Sequence, residues 1–375
     1  MTLASATGKY GGPFDTAVSQ SRLTSRERGT KTTLLAGHLP DDAPILESNV
    51  IDVVVRAVRR LTSERGFTTC ISWRMCFELV RQVRRADIVH VSYAREIIPL
   101  LAAGLALGFR KPLVIHPHGM LTARTSRLHQ VVDLVARPVF RRASRIIALT
   151  SVEKGQLQDW SGLDDTGPFD VIGNPLPYEP TEGVTATSTS KAVFIARLEP
   201  RKRVSDFVEA RQVAHANGWN ELYEVIGPDQ GDGEMVRLAA SQTPGLLYRG
   251  AVPATQIDGI LNNAGVFVLT SLNEPWGNVL VAALVKGVPV VVARSAALAE
   301  EIDQNHLGIV VPDGEPAAVA RAVHLILTDR WRTPEEEKVA LNFAKRRFDQ
   351  VGIQKLLLDT YRTAIDLNAQ GGRSK

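Results

Sequence analysis

The chain has 375 residues, more than a single hydrophobic core usually serves, so its length predicts two domains. Hydrophobic residues make up 44% of the chain and charged residues 22%, which is typical of a globular protein and excludes a disordered chain or a coiled coil. The net charge of +4 is unevenly placed, since residues 1–180 hold 23 basic against 17 acidic side chains.

Compartment and partners follow from the same sequence features. The longest apolar run, Ile97–Gly108, is shorter than the about 20 residues of a membrane span and indicates a buried helix. Residues 1–12 lack the apolar stretch of a signal peptide, and the two cysteines have no His/Cys cluster nearby, so we expect a cytoplasmic protein with reduced thiols. The basic excess fits either peripheral docking on an anionic inner membrane face or ordinary solvated helix faces. No nucleic-acid-binding motif accompanies it.

Short β-branched or apolar runs alternate with helical stretches along the first half of the chain. This pattern is typical of a parallel sheet with crossover helices and predicts an α/β domain over residues 1–174. After a short candidate strand at Thr2–Ser5, the predicted strands are Thr32–Ala36, Thr68–Ile71, Ile88–Ser92, Leu113–His116, Ile146–Thr150 and Asp170–Ile172. The helices predicted between them are Val50–Leu61, Phe77–Arg85, Arg95–Leu107 and Leu128–Arg142.

Residues 175–191 are rich in Pro, Ser and Thr and have no periodicity, so they are predicted to be a linker. A second domain is predicted over residues 192–350, and a last helix, about 351–375, is expected to pack back on the first domain. Its strands are predicted at Ala192–Ala196, Leu222–Ile226, Leu246–Tyr248, Val266–Thr270, Val288–Val292 and Ile309–Val311, and its helices include Val204–Asn217 and Asn278–Lys286. Two doubly wound domains bind ligands outside the carboxyl ends of their strands, so the predicted site is a cleft between the domains.

The turn after the predicted strand that ends at Thr270 carries the clearest chemistry. Glu274 lies in this turn, where its carboxylate can accept hydrogen bonds from sugar hydroxyls. A helix is predicted to begin just beyond, and the backbone N–H groups of Trp276, Gly277 and Asn278 suit a phosphate because the first turn of a helix has no intrahelical partners for them. Many α/β proteins carry a glycine at such a turn, so this pattern alone does not identify a phosphate site.

Two cations follow the first predicted strand of the second domain. Arg197 comes directly after the strand, and Lys202 lies five residues on, before a helix. Such a pair suits a diphosphate, which arginine binds bidentately and lysine binds as a point charge. The alternative interpretation is a pair of solvated surface cations.

Two weaker stretches lie in the first domain. His118 and Gly119 close a predicted strand; a lone histidine is more often structural, but the carboxyl end of a parallel strand favours function. Near the amino terminus, Gly11 and Gly12 belong to a glycine-rich loop whose backbone can approach a ligand, although the loop lacks GxGxxG spacing.

Together these motifs resemble the GT-B family of retaining glycosyltransferases, family four of that class. The similarity covers most of the chain and is strongest over residues 192–314. In the family's order, the motifs are the glycine-rich loop (Gly11, Gly12), an HG turn (His118, Gly119), an asparagine-proline linker (Gly173–Pro175), RLxPxK (Arg197 to Lys202), a strand ending in Gly227, YRGAV (Tyr248–Val252), the EPWG turn after Asn273, and LGIVVPDG (Leu307–Gly314). The resemblance implies a GT-B fold, with two Rossmann-like domains facing a central cleft. It also implies transfer of a hexose from a UDP- or GDP-linked donor to a saccharide or lipid-linked acceptor in polysaccharide or glycolipid synthesis.

The resemblance assigns roles to individual residues. Arg197 and Lys202 look like the pair that neutralises the donor diphosphate, and Glu274 looks like the carboxylate that holds the donor sugar. His118 looks like a contact to the transferred sugar. The further donor contacts that the resemblance implies are Gly11, Gly12, Ala251, Val252, Trp276, Gly277 and Asn278.

The implied reaction needs neither a side-chain nucleophile nor a metal. In this family the departing diphosphate oxygen is thought to take the proton of the acceptor hydroxyl, while preset cations stabilise the leaving group. One position departs from the family, because its second glutamate, eight residues after Glu274, is Ala282 here. The lost hydrogen bond to the ribose predicts donor binding weaker by roughly ten- to a hundredfold. A catalytically inactive partner subunit and a GT-B-fold nucleotide-sugar epimerase therefore stay open as alternatives.

Overall fold

The computed structural model describes residues 13–40, 51–60, 70–121, 127–176, 190–328 and 331–373. The chain divides into two compact units, one of residues 1–177 with 350–375 and the other of residues 178–349. Across the described ranges, no helix is both long enough and apolar enough to cross a membrane.

The first unit alternates short strands with helices. Its strands are β1 (Thr33–His38), β2 (Asp52–Ala57), β3 (Arg59–Arg60), β4 (Cys70–Ile71), β5 (Val89–Ser92), β6 (Leu113–His116), β7 (Arg145–Ala148) and β8 (Phe169–Val171). Its helices are α1 (Pro13–Ser25), α2 (Trp73–Arg85), α3 (Ile97–Gly108), α4 (Arg127–Phe140), α5 (Ser151–Ser161) and the last helix of the chain, α13 (Gln350–Arg373).

Strands β5 to β8 form a parallel four-stranded sheet in sequence order. Because consecutive parallel neighbours are joined by right-handed crossovers, α3, α4 and α5 share one face of this sheet. Alternate residues of β6 point to opposite faces: Leu113 and Ile115 join the core under those helices, whereas Val114 packs with Leu357 of α13. The last helix of the chain therefore packs on the first unit, against the other face of its sheet and against α1.

The helix predicted over Val50–Leu61 is wrong. The chain instead forms β2, which pairs in parallel with β1 from Thr33 opposite Asp52 to His38 opposite Ala57. Three consecutive valines in β2 explain the difference, since β-branched side chains lose rotamer freedom in a helix and pack well on a pleated strand. The predicted strands at Thr2–Ser5 and at residues 68–69, like Gly11 and Gly12, lie outside the described residues.

The second unit is a doubly wound α/β unit. Its strands are β9 (Lys191–Ile195), β10 (Leu222–Ile226), β11 (Leu246–Gly250), β12 (Val266–Leu269), β13 (Val290–Ala293) and β14 (Gly308–Val311). Its helices are α6 (Val204–Ala216), α7 (Gly233–Gln242), α8 (Ala254–Asn262), α9 (Asn278–Val285), α10 (Ala299–Gln304), α11 (Pro316–Thr328) and α12 (Pro334–Arg347).

These six strands are parallel and stand in the order β11-β10-β9-β12-β13-β14. This is the Rossmann order, and the chain reverses its winding direction between β9 and β12. The buried residues of both central strands, Ala192–Ile195 and Val266–Leu269, are all apolar, as expected where helices cover both faces. The predicted α/β fold class is therefore confirmed, and the reversal point locates the place where such sheets bind ligands.

Candidate functional site

The loops that follow β9 and β12 carry the three charged residues predicted for the site. Arg197 and Lys202 lie in the loop after β9, and Glu274 lies in the loop after β12. Since β9 and β12 are hydrogen-bonded neighbours running in the same direction, both loops leave the same edge of the sheet. The site is thus assembled at the reversal point of the second unit.

Lys202 and Glu274 form a buried ion pair. The Lys202 Nζ atom lies 2.5 Å from Glu274 Oε2, and the two side chains are only 12% and 8% exposed. Arg201 adds a second cation, with its Nη1 atom 3.8 Å from the same oxygen. Burial acts to raise the pKa of Glu274, but the charges of Lys202 and Arg201 outweigh it and hold that pKa below the usual glutamate value. The carboxylate is therefore ionised at neutral pH.

The three cations of this loop act on one another. Burial lowers the pKa of Lys202; the Glu274 carboxylate opposes this shift, while the positive charges of Arg201 and Arg197 add to it. Arg197 is joined to the pair through Glu199, a carboxylate that it shares with Arg201. The structure thus brings Arg197, Lys202 and Glu274 together, and the surplus positive charge favours an anionic ligand.

Hydrogen bonds to backbone carbonyl groups fix the two loops to each other. The Thr270 hydroxyl lies 2.8 Å from the carbonyl oxygen of Arg203 and 3.2 Å from that of Lys202. The amide of Leu272 donates to the carbonyl oxygen of Arg201 at 3.0 Å. Because these bonds hold the loops independently of any ligand, the charged groups are preset, which is the condition for electrostatic stabilisation without reorganisation.

Glu199 orients the arginines of the same loop. Its Oε1 atom lies 3.2 Å from Nη2 of Arg197 and 3.7 Å from Nη2 of Arg201. The Nη1 atom of Arg197 donates to Oε1 of Gln230 at 3.3 Å. Sequence reasoning missed Glu199, although an acidic residue between the cations of RLEPRK is the signal that points to it.

The turn before α9 has the predicted helix-start geometry. Helix α9 begins at Asn278, and Gly277 precedes it with φ of 76°, a left-handed conformation that favours glycine. A Cβ on Gly277 would also lie 3.0 Å from Cβ of Leu280. The Trp276 indole is buried and meets the Phe348 ring edge-on, with centroids 5.7 Å apart. Trp276 is therefore a packing residue, and the backbone of this turn is the part that can meet a ligand.

The remaining predicted donor contacts lie on the same edge of the sheet. Ala251 is exposed and Val252 half-buried, directly after β11. Gly227 follows β10 with φ of 151°, and a Cβ there would come within 1.7 Å of the Ala196 carbonyl oxygen, so only glycine fits. Ala282 is buried inside α9 and offers no polar group, so the carboxylate that the resemblance implies at this position is missing.

His118 belongs to the first unit, after β6. It is buried, has φ of 53°, and stacks on His116 with ring centroids 3.7 Å apart. Its Nε2 atom lies 3.3 Å from the Ser92 hydroxyl. Burial is the main cause that lowers the pKa of His118 to about 3, so the ring is neutral at physiological pH. A neutral imidazole can exchange hydrogen bonds with a ligand but brings no charge to it.

Glu153 holds the turn that contains His118. Sequence reasoning did not identify this role of Glu153. Its Oε1 atom accepts the amide of Gly119 at 2.5 Å, and its Oε2 atom accepts the amide of Leu149 at 2.7 Å. The available signal was Thr150 three residues earlier, a pattern typical of a capping box. Thr150 does accept the Glu153 amide, but the carboxylate bonds the neighbouring strand end instead.

Within the described part of the chain, no three His, Cys, Asp or Glu side chains are grouped as a metal ion would require. Gly11 and Gly12 lie outside that part, so the structure does not place them.

Comparison with known proteins yields two family matches. Residues 189–329 match the family described as Glycosyl transferases group 1, and residues 23–179 match Glycosyltransferase Family 4. Together the two matches span most of the chain.

Individual proteins show the same relationship. The chain is 26% identical over 318 residues to the 2-deoxystreptamine N-acetyl-D-glucosaminyltransferase of Streptomyces fradiae, covering 78% of this chain and 75% of that protein. It is 26% identical over 255 residues to the D-inositol 3-phosphate glycosyltransferase of Streptomyces bingchenggensis, covering 59% and 55%. The crystal structure of Anabaena HepE with UDP and glucose matches the fold with a TM-score of 0.73, at 20% identity over 96% of this chain and 97% of that one.

Proposed function

This chain belongs to the group 1 glycosyltransferases of GT-B fold, and from that premise we propose that it transfers a hexose, with retention, from a UDP-linked donor to a hydroxyl group of a small polar acceptor. The observation that carries the proposal is the preset group of Arg197, Lys202 and Glu274 at the reversal point of the second unit. UDP is preferred to GDP because HepE, which shares the fold, was crystallised with UDP and glucose.

The charges of the site suit the leaving group. As the bond from the donor sugar to the diphosphate breaks, negative charge grows on the diphosphate. Arg197 and Lys202 neutralise this charge, and the amides before α9 add the positive end of a helix dipole. Glu274, ionised and anchored by Lys202, accepts hydrogen bonds from the sugar hydroxyls. His118, being neutral, contacts the transferred sugar through hydrogen bonds.

No side chain is assigned as a nucleophile in this reaction, and no metal takes part. The departing diphosphate oxygen receives the proton of the acceptor hydroxyl on the same face of the sugar. The new glycosidic bond then forms on that face, so the anomeric configuration is kept. Stabilising the leaving group is the main work left to the protein.

The acceptor is proposed to be a cyclitol or a small saccharide. The names of the two relatives include 2-deoxystreptamine and D-inositol 3-phosphate, both polyhydroxylated six-membered carbocycles. An acceptor linked to lipid, in polysaccharide or glycolipid synthesis, is the alternative that the same site chemistry allows.

A second candidate function rests on Ala282. Without a carboxylate at that position, a partner subunit that binds the donor and does not turn it over is the competing interpretation. Such a protein would show nucleotide-sugar binding with no transfer to any acceptor.

The test begins with melting temperatures in the presence of UDP, GDP and a panel of their sugars, because a ligand that binds only the folded state raises the melting temperature. The stabilising donor is then incubated with 2-deoxystreptamine, inositol phosphates and saccharides, with and without EDTA. We expect stabilisation by a UDP-sugar and EDTA-insensitive formation of a product that keeps the donor's anomeric configuration by NMR. Binding without product would favour the partner subunit, and reversible conversion of the free UDP-sugar would favour an epimerase. A lack of stabilisation by every nucleotide-sugar would contradict the proposal.

A further inference from the structure

Helix α4 in the first unit is apolar on the side that faces solvent. Val131, Leu134 and Val135 are spaced as one helical stripe and are 62%, 74% and 60% exposed. On the opposite side of the same helix, Ala136 and Phe140 are buried in the core. A surface helix normally turns polar residues outward, so this stripe lacks the usual solvent-facing side chains.

Helix α2 has the same feature. Trp73 and Phe77, one helical turn apart, are 76% and 68% exposed, whereas Met75 and Leu79 of the same helix are buried in the core. An exposed tryptophan beside an exposed phenylalanine is costly in water, because aromatic side chains have large apolar surfaces.

Helix α3 joins these two surfaces. It packs against both α2 and α4, and none of its residues is charged. Its outward positions include Gly104, which is exposed, and Leu101 and Leu105, which are half-buried. At its end, the ring of Phe109 lies 4.9 Å from the guanidinium carbon of Arg84 of α2. We call the outward surface of these three helices the α2–α4 face.

The exposed charges on the α2–α4 face are mainly positive. Arg74, Arg84 and Arg85 of α2 are exposed, and no carboxylate of the described residues forms an ion pair with any of them. Just beyond the helices, Arg142 after α4 and Asp87 after α2 are exposed as well.

The acids of the same helices are turned inward. Glu78 of α2 is buried and paired with Arg56 and Arg81, and Asp133 of α4 is buried and paired with Arg95. Their negative charges are neutralised inside the unit, so they do not balance the exposed arginines. The α2–α4 face is therefore apolar with a cationic margin.

We propose that the α2–α4 face docks the protein on an anionic lipid bilayer, with Trp73, Phe77 and Leu134 entering the boundary between headgroups and acyl chains. Exposed arginines beside these side chains would contact lipid phosphates. Aromatic and leucine side chains on one surface with flanking arginines are the composition of helices that lie in a membrane interface. The inference concerns a surface of the first unit and does not depend on the donor or acceptor proposed above.

A second copy of this chain is a poorer occupant of the α2–α4 face. A two-fold symmetric dimer places the same surface on both sides of the interface. Arginines outnumber acidic residues on this surface, so arginines would largely face arginines, and like charges across an interface are unfavourable. A bilayer containing anionic lipid supplies both the apolar phase and the negative charge.

The first experiment is co-sedimentation of the full chain with vesicles of phosphatidylcholine alone or mixed with phosphatidylglycerol. We expect the protein to pellet with the mixed vesicles, to pellet much less with phosphatidylcholine alone, and to be released as NaCl is raised, because salt screens the attraction. Protein that stays in the supernatant with both vesicles would overturn the proposal. Binding that ignores both lipid charge and salt would overturn its electrostatic part.

Variants locate the docking surface. Changing Trp73, Phe77 and Leu134 together to serine should lower the affinity for mixed vesicles by roughly tenfold or more, since each apolar side chain adds to interfacial partitioning. The matched control is Leu238→Ser with Val339→Ser in the second unit, where the two side chains are 59% and 60% exposed. Equal loss in the control, or no loss in the triple variant, would overturn the assignment.

A charge-reversal pair tests the arginines. Arg84→Glu with Arg85→Glu should weaken binding to the mixed vesicles by roughly tenfold or more, because each basic residue near an anionic surface adds attraction. Arg321→Glu with Arg346→Glu, exposed positions of the second unit, should leave it unchanged. Circular dichroism and the UDP-induced rise in melting temperature report folding and donor binding in every variant. Sedimentation velocity that finds a dimer dissociated by the triple variant, without vesicle binding, would assign the face to self-association instead.

Discussion

The strand ends of the two units handle buried ionisable groups in opposite ways. In the second unit, Lys202 and Glu274 are buried together and the pair stays charged, with the pKa of Glu274 below its usual value. In the first unit, the rings of His90, His116 and His118 are stacked in sequence, and burial lowers their pKa values, to about 4 for His90 and about 3 for His118. The sheet of the second unit keeps charges at its carboxyl edge, whereas the histidine stack of the first unit, which begins at His90 inside β5, is neutral.

The difference follows from what each edge supplies as a partner. A buried charge persists only where an opposite charge or several hydrogen bonds compensate for lost solvation. Glu274 has cations within reach. Burial is the main cause that lowers the pKa of each histidine, and for His116 the neighbouring rings of His118 and His90 lower it further. A charged edge suits the diphosphate of a donor, and a neutral edge suits hydroxyl groups.

Neutralising Glu274 has the largest expected effect, because it removes the negative charge of the buried pair in the second unit. Glu274→Gln keeps the size of the side chain but removes the charge that anchors Lys202. We expect kcat/KM for sugar transfer to fall by roughly ten- to a hundredfold, since hydrogen bonds to a charged group are worth about 1.5–3 kcal/mol. Steady-state kinetics measure this change, with Glu209→Gln on the exposed side of α6 as the matched control. Normal kinetics in the Glu274 variant would remove it from the site.

Acid sharpens the comparison, because the two edges titrate in different windows. The folded pKa of His90, about 4, lies below that of an unfolded histidine, so the unfolded state binds the proton first and stability falls as the pH drops from 6.5 towards 4. Glu274 has a lowered pKa, so its contribution is lost only at more acidic pH, below the unfolded glutamate value. Burial raises the pKa of Glu96 to about 7, so between pH 7 and 4.5 the folded state holds this proton more tightly than the unfolded state. Its titration therefore raises stability as the pH falls and partly offsets the loss caused by the histidines.

The measurement therefore compares the wild type with His90→Asn by urea unfolding at pH 6.5 and pH 5. The loss is at most about 1.4 kcal/mol for each pH unit and each group, and an unfolded histidine is only half protonated at pH 6.5. The wild type should therefore lose roughly 1.5 kcal/mol more than the variant between these two values. Parallel losses in the two proteins would show that burial does not lower the pKa of His90 in the folded state.

A smaller effect, on the free energy of unfolding, is expected from changing Glu153, a buried carboxylate of the first unit. Both oxygens of Glu153 accept backbone amides, those of Gly119 and Leu149. Glutamine has a single carbonyl oxygen, so Glu153→Gln leaves one amide facing an NH₂ group and should cost about 1 kcal/mol or more in the free energy of unfolding. Urea titration at pH 7 measures the cost, and Glu209→Gln again provides the exposed control. A variant as stable as the wild type would mean that the turn at His118 is held by other contacts.

Much of the second unit could be predicted because its strands are short buried runs of apolar residues. The predicted strand Val266–Thr270 differs from the observed β12 by one residue. The predicted helix at Val50–Leu61 was wrong because the pairing that makes it a strand involves β1, which local patterns do not include. Strand pairing is a non-local property, and three valines were its only local sign.

In the site, too, local patterns could be predicted and contacts between distant residues could not. Arg197, Lys202 and Glu274 were predicted from their places after strands, but the direct bond between Lys202 and Glu274 spans 72 positions of sequence and follows only from the neighbouring positions of β9 and β12. Glu153 was missed for a similar reason, since its partner Gly119 lies 34 positions away.

The measurement that tests the central claim most directly is the affinity of UDP for Lys202→Met, followed by titration calorimetry at fixed salt. Methionine keeps an apolar stem of similar length and removes the ammonium group. Lys191→Met is the matched control, because Lys191 pairs with Glu224 at 3.1 Å on the amino end of β9, the opposite end of the strand from Lys202. If Lys202 binds the diphosphate, UDP should bind at least about tenfold more weakly, or about 1.4 kcal/mol, to the Lys202 variant and unchanged to the control. Equal UDP affinity in a folded Lys202→Met protein would contradict the account.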